Sequence, residues 1–370
     1  MTHSLPGRDS NSHLSGRMRA RPRAVLADMS ERPRASVVTS AYNDLRFLDA
    51  AVDSVLQQDF RDFEFIIVDD GTGETAIFDS LRGRDPRIRV LVNPANLGAA
   101  TAANRGIEEA QSDIIVRLDA DDVCMPGRLE KVVAAFEQDA RLGLVGSAAE
   151  FIDEAGHVVG AQAMPETDLE IRWTILFHNP FWHPTVAFRR SCFEAAGRYR
   201  PEEAVSYDHY LWFDMLSFCR ARNLPEPLTQ YRLNSRGLVA NNAIKPRNRT
   251  HAIRQALWSR IGLVYDLYDD DVAGDVSRFI NGKSIVAPER RFAAYSVMLK
   301  VLRAFLKSAQ AKTDMADARQ LKQRIVTRML TDLPASGEER SKLYRLCWRA
   351  DPWTTSGRWM ARSAEASAAF

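Results

Sequence analysis

The sequence predicts an α/β protein: a mixed, mostly parallel sheet flanked by helices, followed by a helical C-terminal region. Three observations predict it. Short apolar β-runs alternate with helical periodicity from residue 35 to about 140, the pattern of βαβ crossovers in a parallel sheet. Those runs end in polar or acidic residues, where an open sheet of this kind binds ligands. Beyond about residue 245 the spacing is helical almost throughout.

The elements follow in order. Residues 1–33, rich in Ser, Arg, Pro and Asn, read as a disordered basic leader. Ala35–Ala41 is the first strand, and 44–58 a helix carrying Leu45, Leu48, Val52, Val55 and Leu56 on one face. A second strand at 63–70 ends in Asp69-Asp70 and a glycine-rich turn, Gly71-Thr72-Gly73, before a short helix. A third strand at 88–93 and a small-residue helix at 99–110 lead to a fourth strand at 113–118. That strand runs into Asp119-Ala120-Asp121-Asp122, and Pro126 then opens a helix reaching about 138. From 142 the expectation is two β-like runs around a turn at 153–156, a helix at 168–177, a strand at 183–189, a helix at 207–219 and an extended run at 224–233. The expected organisation is a leader (1–33), a catalytic domain (34–240) and a helical accessory region (241–370).

Composition narrows the function. With 370 residues, 45% hydrophobic, 26% charged and a net charge of +2, this is an ordinary soluble composition with no global attraction to nucleic acid. The charge is uneven: residues 1–34 hold seven Arg against three acids, and residues 290–362 sixteen Lys and Arg against six acids. Four well-separated cysteines, without a C-x-x-C pair, read as reduced thiols. There is no apolar stretch at the N-terminus for a secretory signal and none long enough to cross a bilayer. The expected location is the cytoplasm, with any membrane contact peripheral and on the inner face.

Chemistry concentrates at the strand ends. Two carboxylates at i and i+2 after a buried strand cannot both enter a core, because isolated buried charges are too costly. On one turn, Asp119 and Asp121 suit a hard divalent cation, Mg²⁺ or Mn²⁺, bound through carboxylates and substrate phosphates. The alternative is a solvated turn capping the helix at Pro126. Asp70 suits a base N–H or ribose hydroxyl, with glycines allowing close backbone approach; Asp69 reads equally as a cap.

Seven motifs in order resemble the family 2 glycosyltransferases of GT-A fold: S-A-Y-N at 40–43, V-D-D-G-T at 68–72, N-x-G at 96–98, A-N-R-G-I at 103–107, L-D-A-D-D-x-x-x-P-x-R-L-E at 118–130, H-P-T-V-A-F-R-R at 183–190 and F-E-A-A-G-R-Y-R at 193–200. The resemblance spans roughly residues 34–235 and implies inverting transfer from a nucleoside-diphosphate sugar with a divalent metal. It puts Asp70 on the nucleobase, Ser40 and Tyr42 beside the nucleotide, Asp119 near ribose or metal, and Asp121 on the metal; Ala41, Asn43, Asn96 and Ala120 complete the candidate donor set. The family's catalytic base aligns with Asp208, where Tyr207 replaces the usual Glu. Three further positions depart from the family: Glu74, Ala103 and Asn234, the last standing where a His is common.

His183 and Trp182 are candidate acceptor contacts, with structural roles as the alternative for both. Phe292, Tyr295, Leu299, Leu302 and Leu306, with Lys300, Arg303 and Lys307 on other faces, form a basic amphipathic helix. Trp348, Trp353 and Trp359 interleave with Arg345, Arg349, Arg358 and Arg362. Packing on the core, self-association and peripheral membrane contact all suit this region. The expected partners are a nucleotide sugar and a glycan or lipid-linked acceptor for a cell-surface glycan. A nucleotidyltransferase is disfavoured by the lack of a glycine-rich basic loop after the first strand. A non-catalytic nucleotide-sugar-binding scaffold is the remaining rival.

Overall fold

The computed structural model describes residues 32–203, 206–236, 246–264, 270–280, 283, 285, 288–308, 315–334 and 337–356. Most of residues 1–33, and Arg358, Trp359 and Arg362, lie outside the described residues.

Four strands come first and pair in parallel: β1 (Ala35–Ala41), β2 (Phe63–Asp69), β3 (Ile88–Val92) and β4 (Ile114–Arg117), in the spatial order β3-β2-β1-β4. The chain steps outward from β1 to β3, then returns to the other side of β1. That reversal splays the connections after β1 and β4 apart and opens a crevice at their carboxyl ends. The sheet continues through β8 (Ala187–Arg189), β6 (Leu142–Ile152), β9 (Arg220–Arg232) and β5 (Val123–Cys124), with β7 (Val158–Gln162) paired to β6. β8 is antiparallel to β4 and β6, whereas β6 and β9 run parallel. The result is a mixed sheet of GT-A type.

Period-two alternation decides which side chains serve which face. In β1 and β2, Val37, Phe65 and Ile67 enter one buried cluster, while Val38, Ile66 and Val68 enter the other. The first face is covered by α1 (Leu48–Leu56), α2 (Thr75–Arg84) and α4 (Arg128–Gln138). The second is covered by α3 (Ala99–Glu108), α5 (Asp168–Thr174), α6 (Arg190–Ala195) and α7 (Tyr207–Met215). Gly106 makes the α3 packing possible: a Cβ there would stand 2.6 Å from Val38 Cγ1 and 3.0 Å from Val68 Cγ2.

The described helices after 245 include α8 (Pro246–Ser259), α9 (Asp270–Ile280), α10 (Arg291–Lys307), α11 (Met315–Thr331) and α12 (Glu338–Ala350). They share the second cluster: Trp258, Val276, Met298, Phe305, Val326 and Leu343 are buried with Trp173, Phe177 and Trp212. Trp258 Nε1 donates to the Leu176 carbonyl at 2.9 Å and Ser277 Oγ to that of Phe177 at 3.2 Å. The apolar stripe of the basic amphipathic helix thus faces protein, with Tyr295, Leu299 and Leu302 buried and Phe292 exposed.

Four expectations need correction. The segment 183–189 is not one strand: His183–Thr185 is a 3₁₀ turn and only Ala187–Arg189 pairs, because Pro184 has no N–H for a ladder. The helix at 207–219 stops at Met215, because Arg220 N donates to the Arg141 carbonyl and β9 begins there, four residues early. The helix at 168–177 ends at Thr174. The first helix starts at Leu48, not 44, because Asn43 turns left-handed at φ 65° and Asp44 folds back onto Tyr42. Neither β5 nor α6 was foreseen.

Candidate active site

The carboxyl ends of β1 and β4 are tied by Thr39 Oγ1, which donates to the Leu118 carbonyl at 2.9 Å. Ser40 and Ala41 end β1, and Tyr42 and Asn43 leave the sheet here, with Tyr42 exposed and Ala41 buried. Asp119, Ala120 and Asp121 follow β4 half-buried, and Asp122 is buried.

The acidic turn is held on three sides. Beneath it lie two buried arginines: Arg117 Nη1 donates to the Val38 carbonyl at 2.8 Å, and Arg128 Nη2 to those of Arg117 and Pro184, both at 2.7 Å. Arg117 also stands 3.6 Å from Asp119. On a second side, His183 Nδ1 lies 3.0 Å from Asp119 Oδ2, and its Nε2 lies 3.1 Å from the Tyr199 hydroxyl. On the third side is the end of β9. Arg232 N donates to Asp122 Oδ1 at 2.7 Å, Arg232 Nε to the Asp121 carbonyl at 2.8 Å, and Asn234 Nδ2 to Asp121 Oδ2 at 2.9 Å.

These neighbours separate the three carboxyl groups electrostatically. Burial raises the Asp119 pKa, but His183, Arg117 and Arg128 outweigh it and the net shift is down. Burial and the Asp119 charge raise Asp121 despite the hydrogen bond from Asn234. Burial and the charges of Asp121 and Asp119 push Asp122 well above the ordinary carboxylate range. Asp122 Oδ2 is buried with no hydrogen-bond partner among the described residues.

Asp208 is in the first turn of α7. Asn179 Nδ2 donates to its Oδ2 at 2.6 Å and His209 N to its Oδ1 at 2.8 Å. His183 links Asp208 to the acidic turn: it meets Asp119 at 3.0 Å and packs edge-on against Tyr207, the residue before Asp208, at 5.5 Å between centroids. Burial raises the Tyr231 pKa first, followed by the charges of Asp122, Asp119, Asp121 and Asp208 together. Asp208 follows the three carboxylates of the turn by 86 to 89 residues in the chain. Trp182 packs edge-on against Phe151 and tilted against Tyr231, each at 5.2 Å between centroids, with its Nε1 buried and unpartnered among the described residues.

Other candidates are placed differently. Asp70 is buried with both oxygens engaged: Oδ1 accepts from Asn93 Nδ2 at 2.6 Å and Leu97 N at 3.0 Å, and Oδ2 from Gly98 N at 3.0 Å. It anchors the 93–98 loop, to which the Gly71 turn lies so close that a Cβ would stand 2.3 Å from the Ala95 carbonyl carbon. Asn96 Oδ1 accepts from Gly98 N at 3.0 Å within that loop. Asp69, read as a cap, accepts from Thr72 N at 2.8 Å. Asn104 clamps the Tyr199 backbone from both sides, at 2.8 and 3.1 Å, and so fixes the hydroxyl that meets His183. His183, a candidate acceptor contact, thus sits on Asp119.

Sequence reasoning missed Asn179, Arg117 and the part played by Arg232. A charge inside the apolar strand I-I-V-R was the available signal for Arg117, since a buried charge requires partners. No local pattern distinguishes Asn179.

An acidic turn at the switch point of a sheet of this order fits the GT-A fold that the motifs imply. Comparison with known proteins agrees. Residues 36–199 match glycosyl transferase family 2. The amylovoran biosynthesis glycosyltransferase AmsE of Erwinia amylovora is 30% identical over 209 residues, covering 54% of this chain and 76% of AmsE. The O-antigen biosynthesis glycosyltransferase WbnJ of Escherichia coli is 28% identical over 231 residues, covering 61% and 89%. The structure of S. aureus TarS 1–349 in complex with UDP-GlcNAc superposes with a TM-score of 0.52, covering 88% of this chain and 92% of that one; at 15% identity it shows the fold alone. The chain belongs to glycosyl transferase family 2.

Proposed function

We propose that this glycosyltransferase transfers a sugar with inversion from a nucleoside diphosphate to an acceptor hydroxyl, Asp208 acting as general base. The observation that carries the reading is His183, which meets Asp119 of the acidic turn at 3.0 Å and packs edge-on, 5.5 Å between centroids, against Tyr207, the residue before Asp208. A donor diphosphate at the acidic turn puts the anomeric carbon between that turn and Asp208. The carboxylate removes the hydroxyl proton as the acceptor oxygen attacks, and the diphosphate departs from the opposite face. Asn179 and the His209 amide hold the Asp208 oxygens in place for that task.

A divalent cation, Mn²⁺ or Mg²⁺, fits the acidic turn. The side chains on offer are carboxylates, the Asp121 pKa is raised by burial and by the Asp119 charge, and a dication would relieve both. Asp121 and Asp119 would hold it. Among the described residues no group of three or more His, Cys, Asp or Glu is arranged to bind an ion, so phosphate and water oxygens would complete the shell. When bound, the ion supplies Lewis-acid stabilisation of the departing diphosphate. Ser40, Ala41, Tyr42, Asn43, Asp70, Asn96 and Ala120 are assigned to the nucleotide side. Trp182 is assigned to the acceptor, which the relatives' roles in amylovoran and O-antigen synthesis suggest is a glycan or a lipid-linked glycan. Among the described residues no helix is long and apolar enough to cross a membrane.

The test is a thermal-shift screen of UDP-, GDP- and dTDP-sugars with and without Mn²⁺, followed by turnover of Asp208→Asn. Binding to the native state raises Tm. The variant should keep the donor-induced shift and lose kcat by about 10²–10⁴-fold. A protein that no nucleotide stabilises is a scaffold and not a donor-dependent enzyme; unchanged turnover removes Asp208 as the base.

A further inference from the structure

The four cysteines are scattered in sequence, but two of them meet. Cys192 lies in α6, and Cys219 lies between α7 and β9. Gly143 of β6 separates them. A Cβ on Gly143 would stand 2.3 Å from Cys219 Cβ and 2.5 Å from each of the two sulfurs. Both sulfurs crowd the same point in space, which only glycine leaves free. The two are half-buried, whereas Cys124 and Cys347 are buried.

The pair is chemically unequal. Cys219 Sγ donates to the Met215 carbonyl at 3.3 Å. The neighbouring Cys219 thiol brings the Cys192 thiol down to about 7; burial opposes it, and Ser191 and Arg189 reinforce it. The Cys192 sulfur and burial push the Cys219 thiol up. The arrangement offers one ready nucleophile and one thiol that keeps its proton until needed.

We propose that Cys192 and Cys219 form a dithiol modification site, which closes to a disulfide by exchange with a low-molecular-weight disulfide. The Cys192 thiolate attacks one sulfur of the oxidant, forming a mixed disulfide and releasing one thiolate. Cys219 then loses its proton to solvent and attacks the Cys192 sulfur, expelling the second thiolate. Two electrons pass from the protein pair to the oxidant, and the two protons end on the two released thiols. The closed loop contains Tyr199, Tyr207 and Asp208, so the cross-link fastens the segment that carries the proposed base. The proposal does not depend on donor or acceptor identity.

The full-length reduced protein is exposed to oxidised glutathione, alkylated, digested and mapped by mass spectrometry. A Cys192–Cys219 cross-linked peptide is expected, with Cys124 and Cys347 alkylated. Cys219→Ser should retain glutathione on Cys192, and Cys192→Ser should react at Cys219 about tenfold more slowly or less. Gly143→Ala keeps all four thiols but should lose the cross-link; if it fails to fold, the Cys219→Ser result decides. Stable glutathione on wild-type Cys192, a cross-link between other cysteines, or no reaction at this pair overturns the proposal.

Discussion

At the scale of single residues, the acidic turn shows why three adjacent carboxyl groups need three kinds of partner. Asp119 has cations, Asp121 an amide, and Asp122 only the Arg232 backbone N–H on one oxygen. Asp122→Asn keeps that acceptor and should change stability little, while Asp122→Ala orphans the buried N–H and should cost about 1–3 kcal/mol in denaturant unfolding. Asn179 acts on the proposed reaction only through Asp208. Asn179→Ala should lower kcat by about 10–100-fold, the range for removing a supporting hydrogen bond, and leave the donor-induced Tm shift intact. An equal loss of donor binding would assign Asn179 a wider structural role.

At the scale of elements, the motif A-N-R-G-I is a packing device more than a ligand contact. Asn104 holds Tyr199, Arg105 holds the Val92 carbonyl at 2.7 Å, and Gly106 lets α3 lie on β1 and β2. Gly106→Ala drives a methyl into Val38 and Val68 and should cost about 1–3 kcal/mol, read as a lower midpoint in urea. β9 shows a second device. Pro225 and Pro227 lack the N–H for a ladder, so the β6–β9 register slips between Ser147 and Ala148. The strand then resumes and delivers Arg232 to the acidic turn.

At the scale of the molecule, two histidines, His209 buried and His178 half-buried, weaken the fold in acid. Burial, with the charges of His209 and Arg254, lowers the His178 pKa from 6.5 to about 3, and burial likewise lowers that of His209. The unfolded chain binds protons that the folded chain refuses, so this stability is full above the unfolded value and is lost as pH falls below it. Stability should drop from pH 6.5 toward 4 by up to about 1.4 kcal/mol per pH unit for each histidine, read as a falling Tm. His178→Asn should flatten the profile. The C-terminal helices are equally part of the whole, since Trp258 and Phe305 cover Phe177 and Trp173. A chain ending at residue 245 should bare that apolar surface and either aggregate or bind a hydrophobic dye strongly; a soluble, cooperatively unfolding fragment would show that the sheet stands without them.

The sequence by itself determined the βαβ half, because periodicity and strand-end polarity are local properties of residues 35–140. It also determined the acidic turn, the family and the basic amphipathic stripe. The tertiary structure decided what those features meet. Long-range pairing ended α7 early and began β9 at Arg220, and the same pairing drew Arg232 and Asn234 onto the turn. Asn234, a mere departure from a pattern in sequence, became a hydrogen-bond partner of Asp121. Asp70 is tied to the 93–98 loop because its three donors lie there. Tyr295, Leu299 and Leu302 of the stripe proved to face the core while Phe292 stays exposed, a matter of which surfaces are adjacent. Cys192 and Cys219 became neighbours for the same reason. Local spacing sets secondary structure; contacts between residues tens of positions apart are set only when the sheet orders its strands.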